Sequence, residues 1–176
     1  MVGLTPDRVV WEVATAAGPR LMYQDSRNNM DQMYFVHVEA RRFYLGMLHA
    51  GGGFLRTTPD GNGCLPRALM HTDYKFEKAA ENFAVRERPI VDLAFPSPGL
   101  NSGELSIDFN DGTTRTYWLL ANDCPAFPVR VSGLWRAELL MRHAGISMAN
   151  AAALFDADSE RAWTTAGGFR YPQGAP

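Results

Sequence analysis

Asp108-Phe-Asn-Asp-Gly-Thr-Thr-Arg-Thr-Tyr-Trp-Leu-Leu-Ala-Asn122, running into Phe127-Pro-Val-Arg-Val131, is the stretch that decides the fold. An alternating strand ends at an Asp111-Gly112 turn, two hydroxyl residues and Arg115 open a short helix, and an apolar strand follows almost at once. That order makes an anion site in principle. The first N–H groups of a helix have no internal partner, and the helix dipole favours negative charge beyond them. Arg115 adds a cation whose planar donor fork suits phosphate. The same residues also serve as ordinary punctuation, because aspartate-glycine turns and threonine caps open many helices. Both readings stand at this level.

On the N-terminal side of that stretch, Glu104 to Phe109 alternates as a strand and Pro96 to Gly103 reads as a turn-rich loop. Pro89-Ile-Val-Asp-Leu-Ala-Phe95 reads as another strand. Before it, Phe76, Ala79, Ala80, Phe83 and Ala84 mark one face of a helix for which Asp73 is the expected N-cap and Pro89 the stop. Residues 51–72 form a long connection centred on Pro59-Asp-Gly-Asn-Gly63, of the length that is either functional or mobile. Glu39 to His49 has helical spacing and a glycine stop at Gly51-Gly-Gly53, Met33 to Val38 is a strand, and Arg8 to Thr15 with Leu21 to Gln24 reads as a β-hairpin. On the C-terminal side, Leu134 to Ala144 is a helix stopped by Gly145, and the Ala-, Gly- and Pro-rich residues 156–176 are expected to be loosely ordered.

The pattern gives a mixed α/β (α+β) class. A single domain over residues 1–155 has its core unit at 73–131 and an N-terminal hairpin and helix as an extension. The chain has 176 residues, 46% of them hydrophobic, which suits one domain with a genuine core. A formal net charge of -2 excludes the global basic field that holds a protein on nucleic acid unaided. Any such contact must use a local patch. No signal peptide or membrane-length apolar run is present, so a cytoplasmic protein without membrane insertion is expected. Cys64 and Cys124 have no CxxC spacing and read as free thiols.

Three carboxylates, Asp92, Asp108 and Asp111, lie at or near strand ends in the core unit. If two converge beside Arg115 they suit a magnesium ion bridging phosphates, as nucleotide hydrolysis and nuclease action require. Against this, Asp111 is what a tight turn wants, and Asp92 and Asp108 fit solvent-facing strand positions. Arg86 and Arg88 precede the strand beside the turn and are candidates for a nucleic-acid phosphate, although the intervening Glu87 equally marks a solvated surface. Of four histidines, His71 alone lies near the site, and none has zinc spacing. Tyr117 and Trp118 read as core.

Tyr74-Lys-Phe-Glu-Lys-Ala-Ala-Glu-Asn-Phe-Ala84, Pro89-Ile-Val-Asp-Leu-Ala94, Ile107 to Asn122 and Ala126-Phe-Pro-Val129 together resemble the ParB/sulfiredoxin-like fold and, within it, the plasmid fertility inhibition factors. Gly112-Thr-Thr-Arg115 sits where that fold has its Gly-x-x-Arg turn, which binds nucleotide phosphates in ParB proteins. Sulfiredoxins carry a catalytic cysteine two residues before the arginine. Here that residue is Thr113, which supplies no thiolate. The resemblance implies a block on conjugative or type IV secretion-mediated DNA transfer, with ATPase and DNase activity associated with the family. ATP or another nucleotide with magnesium would be the cofactor. It implies Gly112, Thr113, Thr114 and Arg115 as phosphate ligands and Asp92, Asp108, Asp111 and Arg115 as the catalytic group. Expected partners are DNA phosphate, the type IV secretion coupling protein or the relaxosome. Two alternatives stay open: a catalytically silent docking module, and a ParB-like defence or toxin-antitoxin protein.

Overall fold

The computed structural model describes residues 3–5, 8–26, 30–50, 64–85 and 89–155. The expected hairpin forms from β2 (Arg8–Val13) and β3 (Arg20–Asp25), antiparallel with Trp11 opposite Met22. Alternation puts Val9, Trp11 and Val13 inward from one strand and Met22 and Gln24 inward from the other. A three-residue strand, β1 (Gly3–Thr5), pairs with the outer edge of β2. It is too short to show a period.

Strand β4 (Met33–Glu39) leads directly into α1 (Ala40–Leu48), because the Glu39 carboxylate accepts from the backbone N–H groups of Arg41 and Arg42 and caps the helix. Helix α1 ends at His49 within the described residues, so the expected glycine stop at 51–53 lies outside them. The centre of the long connection also lies outside them, but its end is not irregular: Arg67–Thr72 winds into a 3-10 helix. Asp73 terminates that turn instead of capping the next helix. Helix α2 (Phe76–Ala84) starts from Lys75, with the Asp73 carboxylate accepting from the Lys75 N–H.

Beyond α2 the chain forms β5 (Val91–Asp92), β6 (Phe95–Asn101) and β7 (Glu104–Asp111). Two expectations change here. The strand read over 89–95 is only two residues long where it pairs, parallel, with β3. The segment read as a loop, 96–103, is mostly β6, paired antiparallel with β7. Pro96 and Pro98 are tolerated because β6 has a ladder on one side only. The hairpin turns at Ser102 and Gly103, both with positive φ (51° and 87°), the geometry that matches strand twist.

Helix α3 (Thr113–Ala121) and β8 (Ala126–Ser132) complete the core unit as expected. Then α4 (Leu134–Ala144) runs into β9 (Gly145–Asn150) and α5 (Ala151–Phe155). Gly145 does end α4, but it also begins a strand that packs beside β4. Sheet order is β1-β2-β3-β5, β8-β4-β9 and β6-β7. Residues 91–94 stitch the first two sheets together: Leu93 N–H donates to Tyr23 O, and Arg130 N–H donates to Ala94 O.

One core fills the space between them. Phe43 meets Phe127 and Phe109 edge-on at 5.4 and 6.1 Å, and Phe83 of α2 stacks on Trp118 of α3 at 4.2 Å. That last stack fixes α2 against α3. No helix among the described residues is long and apolar enough to cross a membrane. Residues 156–176, read as a loose tail, lie outside the described residues.

Candidate functional site

Between α2 and the N-terminus of α3 lies an open cleft of about 630 Å³. Gly112 lines it, with φ +94° and ψ 16°. A Cβ there would stand 2.7 Å from Ala94 Cα, so both the left-handed backbone and the close approach require glycine. Helix α3 makes its first internal bond from Thr116 N–H to Gly112 O at 3.0 Å. The N–H groups of Thr113, Thr114 and Arg115 therefore precede the helical ladder. All three residues line the cleft.

Arg115 does not reach outward. Its Nη1 donates to Asp92 O at 2.8 Å, Asp92 Oδ1 at 3.0 Å and Leu93 O at 3.1 Å, and its Nη2 donates to Asp111 Oδ2 at 3.1 Å. The side chain is 19% exposed. Asp92 and Asp111 thus converge beside Arg115, and each is engaged by it. A cation at a helix N-terminus opposes the dipole; the paired carboxylates reverse that local sign. Thr114 donates its hydroxyl to Asp73 Oδ1 at 2.9 Å, tying the helix to the segment before α2.

The remaining candidates separate. Asp108, a half-buried residue, faces Ser97 within the β6–β7 hairpin, outside the cleft-lining set, and its buried Oδ1 has no hydrogen-bond partner. His71 is exposed on the 3-10 helix; its neighbours Thr72 and Asp73 line the cleft. Arg86 and Arg88 lie outside the described residues. Tyr117 and Trp118 are buried, as expected of core. Among the described residues no group of three His, Cys, Asp or Glu side chains gathers as a metal site.

Other wall residues escaped the sequence reading. Lys75 at the start of α2 and Lys78 and Asn82 on it line the cleft, together with exposed Tyr74. Their spacing, i, i+3 and i+7, was the available signal: it marks the polar face of the helix whose apolar face attracted attention.

Neither cysteine offers a nucleophile. Burial pushes the Cys64 thiol up to about 11, and the Cys124 thiol likewise up to about 11. Both stay protonated at neutral pH. Cys64 Sγ lies 3.4 Å from Leu65 O, and Cys124 Sγ lies 3.2 Å from Ala126 O.

Comparison with known proteins places this arrangement in context. The chain is 30% identical over 141 residues to the protein Osa of Shigella flexneri, covering 80% of this chain and 71% of that one. Its fold is similar to the crystal structure of an oncogenic suppression activity protein, a plasmid fertility inhibition factor studied as a gold(I) cyanide derivative. That match has a TM-score of 0.72 and 27% identity over 94% of this chain and 84% of the other. Residues 35–145, which hold α2, the Gly112 turn and α3, match the family model described as plasmid fertility inhibition factor. With more than half of its length matched, the chain belongs to the plasmid fertility inhibition factor family.

Proposed function

We propose that this protein blocks conjugative or type IV secretion-mediated DNA transfer by holding the phosphate of a nucleotide or of DNA in the cleft between α2 and α3. The observation that supports the reading is the Gly112 turn: Thr113, Thr114 and Arg115 carry the leading N–H groups of α3, which have no helical acceptor, and line an open cleft together with two lysines. Thr113 and Thr114 frame that end of the helix. Arg115, through Asp92, Leu93 and Asp111, holds the turn against residues 92–93. Such a protein would act on the cytoplasmic side of transfer, at the DNA, the coupling protein or the relaxosome.

The phosphates of ATP or another nucleotide suit these donors. A magnesium ion suits the carboxylates poorly, because Asp92 and Asp111 each accept from Arg115 and Asp108 lies outside the cleft. No ATPase or DNase step through a metal at these residues follows from the geometry. Calorimetric titration with ATP and with CTP, each with and without magnesium, tests the reading alongside mating-frequency assays. Binding that Thr113→Val and Gly112→Val weaken, together with a loss of transfer inhibition, supports it. Heats indistinguishable from buffer dilution for both nucleotides and for DNA overturn it.

A second reading is favoured by the neutralised Arg115: a catalytically silent module that docks on the coupling protein or relaxosome. It predicts inhibition that survives changes in the cleft and is abolished by surface substitutions elsewhere.

A further inference from the structure

The cleft presents three cations in two different states. Arg115 is enclosed: three acceptors share its Nη1 and a second carboxylate holds its Nη2, so two aspartates more than offset its single charge. Lys75, the N-cap of α2, and Lys78, within its first turn, line the cleft. Lys75 Nζ lies 5.0 Å from the centre of the Tyr74 ring, a cation–π contact that keeps it beside the cleft. Lys78 is 71% exposed and meets the equally accessible Glu81 at 3.4 Å, a loose pair that an incoming phosphate can replace. Helix α2 is itself fixed by the stack of Phe83 on Trp118, so Lys78 projects from a rigid support and Lys75 from its N-cap.

We infer that Lys75 and Lys78, and not Arg115, neutralise the bound phosphate, with Arg115 acting as a positioning residue that shapes the Gly112 turn. The inference rests on the phosphate-binding reading above and assigns the charge within it. The ligand class is a phosphate ester, either a free nucleotide or a single strand.

Counterion release separates the two roles. A lysine that contacts a strand phosphate contributes to the slope of log affinity against log salt, about 0.7 per contact for single strands. An arginine already balanced by internal carboxylates contributes nothing to that slope. Its loss instead weakens binding by a similar factor at every salt concentration.

The test uses the full chain with a labelled oligothymidylate of about ten nucleotides, over roughly 50 to 200 mM salt, and ATP in parallel by calorimetry. Lys78→Gln and Lys75→Gln should each flatten the oligonucleotide slope by about 0.7. They should also weaken ATP if the free nucleotide is bound. Arg115→Gln should lower affinity with the wild-type slope retained. Lysine variants that match wild type, or a flattened slope in Arg115→Gln, overturn the assignment while leaving phosphate binding intact. If Arg115→Gln fails to fold, the exposed lysine variants decide the matter alone. Wild-type protein that binds neither probe overturns the phosphate reading itself, and this assignment with it.

Discussion

The two ends of α3 are each gripped by an arginine, and the grips differ in kind. At the C-terminal end Arg67 donates to Leu120 O at 2.8 Å and pairs with Asp123, with side chains 49% and 68% exposed. A cation there complements the helix dipole and needs no carboxylate to justify it. At the N-terminal end Arg115 opposes the dipole, is 19% exposed, and takes two aspartates and two carbonyls as partners. The first grip is a surface ornament that water can replace. The second builds a turn that would not otherwise hold its shape, and only the second borders the cleft. A glycine-only backbone and dense charge pairing therefore set the N-terminal end of the helix apart from the other.

Substitutions should expose that asymmetry in order of size. Gly112→Val meets both a disfavoured φ and the Ala94 backbone, and should cost about 3 kcal/mol or more by urea denaturation. A loss under about 1 kcal/mol would show that the turn relaxes freely. Arg115→Ala removes the bonds that Asp92, Leu93 and Asp111 accept at the turn and should cost about 2 kcal/mol; on the phosphate reading, nucleotide or DNA binding falls with it. Thr114→Val removes the bond to Asp73 and should cost about 1 kcal/mol. Arg67→Ala, at the other end, should stay near 0.5 kcal/mol, about what an exposed pair contributes, and should leave binding unchanged. Equal losses for Arg67→Ala and Arg115→Ala would erase the distinction.

A pH titration sharpens the comparison of buried and surface groups further. Burial raises both thiols when folded to about 11, so their contribution is fully present below the unfolded thiol range near 8.5 and is lost as pH rises through about 11. Alkylation by iodoacetamide at pH 8 should accordingly proceed only as fast as the protein opens. His37 is shifted the other way, lowered chiefly by burial. Its contribution is present above the unfolded value near 6.5 and declines as pH falls below it.

The legible parts of the fold were those with a local signature. The β2–β3 hairpin, α2 and the strand, turn and helix at 104–121 followed from alternation, helical spacing and glycine. Helix α3 was found through its turn and not its periodicity, since Thr116 to Leu120 are all buried and present no polar stripe. Strand β6 was hidden by its prolines, which ordinarily argue against a ladder. Strand β1 is too short to show a period, and β9 owes its existence to a partner far along the chain: Gly145–Asn150 has no strand character until β4 offers an edge. The same holds for the site. Gly112 and Arg115 could be singled out, but the engagement of Arg115 by Asp92 depends on a 23-residue separation closing in space, which no local pattern reports.

Strand β4 has consequences for how the protein is made. It finds its two neighbours at 126–132 and 145–150, both more than eighty residues downstream. On a ribosome adding about 5–20 residues per second, Met33 to Glu39 must wait roughly 5–20 seconds before Ser132 has been synthesised. During that interval Phe35, Val36 and Val38, all buried at the end, have no sheet to enter. The nascent chain is a natural client for chaperones that shield apolar strands, and its yield in a host should rise when translation of the last third is fast.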